Sequence, residues 1–500
     1  MSEYGLWSLL PPILTVILAI MTRNIILALL LGIFSGSLIL SGFNPFVAIL
    51  DVIEERIFVQ TSSSSNIQVL LVIMCIGGFI KLLDVSGGAN AFAKGMIGII
   101  SSRKRAQFST WLAGIAIFFT DSGNALIIGP LFRPIYRELK ICKEKFAYIL
   151  DSTSSPICIL IPFIGWGAYI MGLLDQAYLD NGLTESSFTV LIKVIPFQFY
   201  AWLTLAAVPI IIWTNRDFGP MRLAQENYLA SEIKEETPKA AEVEAPPLSL
   251  FIVPLTVLLG LIAGFLTWYA IEDSLTSSHI RSTLILAYVS AGTSSALLML
   301  KYQKVALNDS LNTFIKGTES MVFVVIILIF AWSLGSVIKD LGTAATISAL
   351  VGDSISPAAL PAIVFILGAV VSLSTGSSWG TFAILLALAI PVANTIGAPL
   401  YLTVAAVLSG GLFGDHTSPI SDTTVLASLA ADCPHVNHVT TQLHYALITG
   451  GITFLTYLLA GYYPSPWILI PAVLVLFFTI QLIMGKWGAS PDSHQPQPSI

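Results

Sequence analysis

Gly414-Asp415-His416-Thr417-Ser418-Pro419-Ile420-Ser421-Asp422-Thr423-Thr424 sets two carboxylates, an imidazole and five hydroxyls inside an apolar run reaching from about Leu400 to Ala430. At mid-bilayer each Asp costs roughly 2.5 to 3.5 kcal/mol, so such a pair persists only where it faces protein, water or a bound ion. The stretch therefore reads as a binding site. Gly410, Gly411 and Gly414 are placed to end one helical segment, and Ser418 followed by Pro419 reads as N-cap and first position of the next. A helix broken there aims free carbonyls one way and free amides the other, giving cation and anion sites at one depth. A plain Pro419 kink does not account for two acids.

The rest of the chain supplies the membrane. It has 500 residues, 55% hydrophobic and 10% charged, with a mean hydropathy of +0.84. No soluble domain of that length hides so much apolar surface. The expected fold is an all-α polytopic membrane protein in a cell inner (plasma) membrane. Its four cysteines lack CxxC spacing and frame no disulfide network. Met1 to Trp7 has no positive n-region, which predicts an uncleaved first span.

Apolar runs predict about eleven transmembrane helices, near 6–22, 25–42, 67–84, 146–173, 191–213, 249–271, 282–300, 319–341, 400–430, 445–461 and 466–484. Two further segments, about 106–131 and 357–397, are interrupted by Thr120-Asp121-Ser122-Gly123-Asn124 and by Ser374-Thr375-Gly376-Ser377-Ser378. Arg103, Lys104 and Arg105 precede the first and Arg133, Arg137, Lys140, Lys143 and Lys145 follow it, so the positive-inside rule puts both its ends in the cytoplasm. The second is flanked by Asp353 and then by no charge. Both read as re-entrant hairpins, entering from opposite faces. The N-terminus then lies outside and the C-terminus inside, with only Arg56, Lys193, Arg281 and Lys339 of the 23 Lys and Arg on the outer face.

The halves match in order. Gly78 to Asp84 parallels Gly335 to Asp340, a hairpin follows each, and Asp151-Ser152-Thr153-Ser154-Ser155-Pro156-Ile157 parallels Asp415 to Ile420. With opposite charge orientation this predicts an inverted-topology repeat with broken helices at the midplane. Residues 1–213 form the first repeat, 214–248 a flexible cytoplasmic linker, 249–461 the second repeat, 462–484 an extra helix and 485–500 a disordered tail.

The Gly-Asp-x-x-Ser-Pro-x-Ser-Asp-Thr-Thr form of residues 414–424 resembles the signature of the NhaC-type Na+/H+ antiporters of the ion-transporter superfamily. His416 and the segment Asp432 to His438 depart from that pattern as subgroup features. The resemblance implies sodium coupling, with protons, or a small organic acid or amino acid, as the other species. A homodimer is compatible with it; nucleic acid and cofactors have no place in it.

Sodium is a hard cation that takes several oxygens. One half-site is expected from Asp121, Ser122, Asn124, Asp151, Thr153 and Ser154, and the other from Thr375, Ser377, Ser378, Asp415, Thr417, Ser418 and Asp422. Na+ is expected at the four acids. A buried carboxylate suits exchange because loss of water disfavours its bare charge, so it holds a proton or a cation in turn. Asp121 and Asp151 as helix caps, Ser377 and Ser378 as packing residues, and His416 as a satisfied interior histidine are the structural alternatives. Cys433, His435, His438 and His444 read as a solvated cytoplasmic loop rather than a metal site. An intramembrane aspartyl protease, suggested by Gly411 to Asp415, fits a mirrored pair of half-sites poorly.

Overall fold

The computed structural model describes residues 3–97, 100–230, 246–272, 274, 276–351 and 356–488. The first half contains α1 (Leu10–Thr22), α2 (Ile25–Leu40), α3 (Pro45–Asp51), a π-helical stretch (Val52–Phe58), α4 (Val59–Ser62), α5 (Ser64–Val85), α6 (Gly88–Ile97), α7 (Arg103–Ala116), α8 (Asp121–Glu138), α9 (Lys143–Ser152), α10 (Ser155–Cys158), α11 (Gly165–Asp180), α12 (Ser187–Val194) and α13 (Phe199–Thr214). After α14 (Gly219–Ala230) come α15 (Ser249–Ile271), α16 (Ser277–Gln303), α17 (Leu307–Glu319), α18 (Val322–Asp340), α19 (Thr343–Val351), α20 (Leu360–Thr375), α21 (Ser378–Ile396), α22 (Leu400–Thr417), α23 (Asp422–Ala431), α24 (His435–Tyr462) and α25 (Leu469–Trp487). Among the described residues, nine helices are long and apolar enough to cross a membrane, rising to eleven if each bent pair is one span. The chain is an all-helical membrane protein.

Packing is reciprocal between the halves. α1 lies on α2 as α15 lies on α16, and α2 packs on α18 as α16 packs on α5. The helix after α2 turns by 120°, because Asn44 caps it and Pro45 takes its first position. This arm packs on α18, while its counterpart α17 packs on α5. Arg56 of the arm pairs with Asp51 at 3.1 Å and also with Asp340 of α18, tying the two halves together. Neither the arm nor α17 was expected, since both are too short and too polar to read as spans.

Two expectations about the breaks need correction. α22 runs unbroken through Gly410, Gly411 and Gly414. Those glycines let α20 approach: a Cβ on Gly410 would sit 2.3 Å from the Phe365 carbonyl oxygen, and one on Gly414 2.3 Å from that of Ala369. The break falls at 418–421, and the cap of α23 is Ser421, whose hydroxyl accepts from Thr424 N, rather than Ser418. The run 146–173 is likewise divided, into α9, α10 and α11.

The stretch 214–248 also differs from a flexible linker where it is described. Asp217 is buried in an ion pair with Lys145 at 2.8 Å, and the Gln225 side chain accepts from Cys142 N and donates to the Lys140 carbonyl. Residues 231–245, Asp353 and 489–500, and with them the rest of the linker and nearly all of the tail, lie outside the described residues.

Candidate functional site

Each half carries the same construction: a helical hairpin whose tip meets a broken helix. In the first, Thr120 caps α8 by accepting from Gly123 N at 3.1 Å, which places Asp121 at the first helical position. In the second, Ser377 caps α21 by accepting from Gly380 N at 3.4 Å, and Ser378 takes the corresponding place. A serine at each break bonds a carbonyl of its own hairpin. Ser154 donates to the Asp121 carbonyl, and Ser418 donates to that of Leu373 at 2.8 Å. Gly376, at φ 65° between α20 and α21, lies against the backbone of Ile420, so a Cβ there would meet its oxygen at 2.7 Å.

The expected ligands fall around these tips. Asp121 Oδ2 accepts from the Trp166 indole N–H at 3.0 Å, and its Oδ1 accepts from Ser122 N and Ser122 Oγ. The Asn124 amide N–H₂ donates to the carbonyls of Gly114 (2.8 Å) and Thr153 (3.0 Å). Its Oδ1 is buried with no hydrogen-bond partner among the described residues. Asp415 shares that trait: Oδ2 accepts from Ser378 Oγ at 2.8 Å, while Oδ1 is buried without a partner among the described residues. An unmet buried acceptor carries a desolvation cost of about 1 to 3 kcal/mol, which a bound cation or proton removes. Thr153, Thr375 and Thr417 turn their hydroxyl hydrogens back to carbonyls of their own helices, leaving lone pairs as their free function.

The halves cross at Asp151. Only 1% exposed, it accepts from Thr424 Oγ1 of α23 at 2.9 Å and from Gln442 Nε2 of α24 at 2.6 Å. Asp422, at the first position of α23, is exposed, and its charge reaches Asp121, Asp151 and Asp415. Thus all four acids belong to one electrostatic cluster drawn from both halves.

Gln442, Thr424 and Tyr200 had no place among the expected ligands. Gln442 lies three residues before the span expected from Tyr445 and so read as loop, whereas α24 starts ten residues earlier, at His435, and carries the glutamine inside the helix. His416 is an interior residue held by Tyr200 Oη at 2.7 Å on Nδ1 and by Ser152 Oγ at 3.3 Å on Nε2. His438 and Cys433 correct the solvated-loop reading: they are 0% and 7% exposed, His438 in the first turn of α24.

Two cavities lie toward opposite ends of α18, one of them reaching Asp121. The first, about 440 Å³, has Asp121, Ser122, Trp166 and Trp379 at its floor and Lys81, Asp84 and Lys316 at its rim. The second, about 240 Å³, touches Trp332, Gly335, Asp180 and Lys339. Along α18 the first ends at Val324 and the second begins at Ala331, about 10 Å apart at 1.5 Å per residue. Between them the Tyr169 hydroxyl donates to the Trp379 carbonyl at 2.6 Å and Trp332 Nε1 to that of Gly172 at 2.9 Å. The halves are not equivalent here: α18 packs on α21, whereas their counterparts α5 and α8 form facing walls of the larger cavity.

Residues 157–462 match the family described as the Na+/H+ antiporter family. A Haemophilus influenzae protein described as uncharacterized is 31% identical over 474 residues, spanning 92% of this chain and 91% of its own. The malate-2H(+)/Na(+)-lactate antiporter of Bacillus subtilis is 27% identical over 224 residues, 44% of this chain and 45% of that protein. The crystal structure of the Alcanivorax borkumensis YdaH transporter, 15% identical, superposes with a TM-score of 0.59 over 88% of this chain and 89% of that one. That likeness concerns the fold.

Proposed function

Because the chain belongs to the Na+/H+ antiporter family, we propose that it is a sodium-coupled secondary transporter exchanging Na+ for H+ by alternating access, with the four-acid cluster as its ion site. One observation carries this: Asn124 on the hairpin of the first half and Asp415 on the broken helix of the second each keep a buried oxygen unpartnered among the described residues. Na+ is held in the first half-site by oxygens of Asp121, Ser122, Asn124, Asp151, Thr153 and Ser154. In the second it is held by Thr375, Ser377, Ser378, Asp415, Thr417, Ser418 and Asp422. Asp415 is the group that trades cation for proton, since a carboxylate with little water nearby tolerates neither bare charge nor both ligands.

The unequal cavities support the cycle. Counting α9 to α11, and α12 with α13, as single crossings and the α7–α8 hairpin as none, α15 is the fifth span after its counterpart α1, and an odd step inverts the second half relative to the first. An inverted pair lets one half take the open arrangement while the other is closed. Here α5 and α8 are apart and α18 and α21 are together; their interchange opens the site to the other face.

A second reading has its own observation. A 440 Å³ cavity exceeds what a bare ion needs, and two lysines at its rim with two indoles at its floor suit a small organic anion. The malate and lactate in the name of the Bacillus subtilis relative accord with that chemistry.

Everted vesicles loaded with a pH-gradient dye separate the readings. Added Na+ alone dissipates the gradient under the first, and Asp415→Asn abolishes the response. A signal that appears only with an added carboxylate transfers the function to the second, and a Na+ response unchanged in Asp415→Asn removes the site assignment.

A further inference from the structure

Hydrogen-bond bookkeeping at the start of α24 leads away from the four-acid cluster. Gln442 donates through Nε2 to Asp151 Oδ2 and to the His416 carbonyl (2.7 Å), so its Oε1 faces His438 Nε2 at 2.9 Å and accepts from it. His435 Nε2 lies 2.6 Å from the Pro419 carbonyl oxygen and donates to it. Both rings therefore carry hydrogen on Nε2, and in the neutral form both Nδ1 atoms are acceptors. Those two atoms converge on one hydroxyl: Ser428 Oγ is 2.8 Å from His438 Nδ1 and 3.0 Å from His435 Nδ1, and 2.8 Å from the Thr424 carbonyl oxygen. One hydroxyl hydrogen faces three acceptors. If one ring gains a proton, its Nδ1–H donates to Ser428 Oγ, and the serine hydrogen serves the other Nδ1.

We propose that His435, Ser428 and His438 form a proton-binding site, separate from the carboxylate cluster, that sets the pH response of transport. The single bound proton is held between two imidazoles through the serine hydroxyl, with His435 half-exposed and His438 fully buried. Moving the charge from His435 to His438 is a two-proton relay, in which the serine O–H proton passes to His438 Nδ1 as the His435 Nδ1–H proton passes to Ser428 Oγ, and it puts the charge beside Gln442, one hydrogen bond from Asp151. The charged and titratable groups facing the pair are Asp151 on α9 and His416 on α22 across Gln442, and Cys433 and Asp432 before α24. Further out are Lys143 and Glu144 on α9, with Arg133 and Arg137 on α8 around Asp432. Of these basic groups, Arg137 and Lys143 pair with Asp432 and Arg133 donates to the carbonyls of Leu429 and Ala430.

The test is nitrogen-15 NMR of histidine-labelled protein reconstituted in liposomes at about pH 7.5, where an ordinary imidazole is mostly neutral. Among the six histidines, one imidazolium is expected in the wild type. It disappears in His435→Gln and in His438→Gln, and is lost in Ser428→Ala, where the bridging hydroxyl is gone. A wild-type spectrum with neutral rings alone, or an imidazolium that survives both histidine substitutions, overturns the site. In vesicles the pH midpoint of transport shifts by about one unit in Ser428→Ala, a tenfold change in proton affinity; an unmoved midpoint in all three variants overturns the role in transport. The spectroscopic arm needs no transport, so failure of the site and failure of the Na+/H+ reading are told apart.

Discussion

Ser378 Oγ donates to Asp415 Oδ2 at 2.8 Å, joining the first residue of α21 to the last turn of α22, while Asp415 Oδ1 has no partner among the described residues. One oxygen of the acid is thereby spent on orientation, and under the proposed exchange the other takes the cation or proton. Ser378→Ala is expected to raise the apparent Km for Na+ by about tenfold, the worth of one hydrogen bond to a charged group at roughly 1.4 kcal/mol. Asp415→Asn keeps the shape and that bond, so the protein folds and inserts while Na+-driven proton movement falls to background. Dye dequenching in vesicles checks both.

The aromatic layer separates the two cavities. Trp379 holds it through its carbonyl bond from Tyr169 and its ring contact with Trp166, 5.1 Å between centroids. Trp379→Ala removes the ring from the floor of the larger cavity. The expected result is a Na+-independent proton leak in reconstituted liposomes, with wild-type leak rates as the contrary outcome.

At the basic end, Arg133 donates to the carbonyls of Ala430 and Leu429, capping the C-terminus of α23 from α8. Gly129 sits in the same contact, and a Cβ there would lie 2.6 Å from Ala430. Arg133→Ala loses a helix cap worth about 1 kcal/mol, while Gly129→Leu forces α8 and α23 apart. Cysteines introduced along the α8–α23 contact should gain thiol-reagent reactivity in Gly129→Leu and less so in Arg133→Ala.

Asp432 lies outside the spans, in the turn before α24. Partial burial pushes its carboxyl up, but Lys143 at 3.0 Å, with Arg133 and Arg137, more than compensates and holds it below the ordinary carboxylate range. A depressed folded-state value means the contribution is complete above the unfolded value of about 3.9 and is lost as pH falls through the folded one. Thermal stability should therefore be insensitive to this group between about pH 6 and 8 and decline below about pH 4. Asp432→Asn removes that part of the acid limb while lowering stability at neutral pH.

Lys145 and Asp217 form a buried pair, with side chains 6% and 2% exposed, and Tyr445 donates to Asp217 at 3.0 Å. Asp217→Ala strands a buried ammonium and is expected to cost about 3 to 5 kcal/mol, whereas Lys145→Met with Asp217→Leu recovers most of it. Melting temperatures in detergent measure the difference; equal loss in single and double variants would contradict the pairing.

Much of this protein was legible in the chain alone. Apolar runs and the placement of Lys and Arg depend on single residues meeting lipid or water, so the helical membrane fold follows from composition and order. The polar interruptions at Thr120 to Asn124 and Ser374 to Ser378 mark the hairpin tips for the same reason, since such groups need a partner at that depth. What only the tertiary structure decided is who that partner is. That Asp151 takes Thr424 and Gln442 from the other half, that glycines at 410 and 414 serve close packing instead of a break, and that two histidines meet over Ser428 are matters of three-dimensional approach. Periodicity reports which face of a helix is apolar; it carries no record of which distant helix comes to lie against that face.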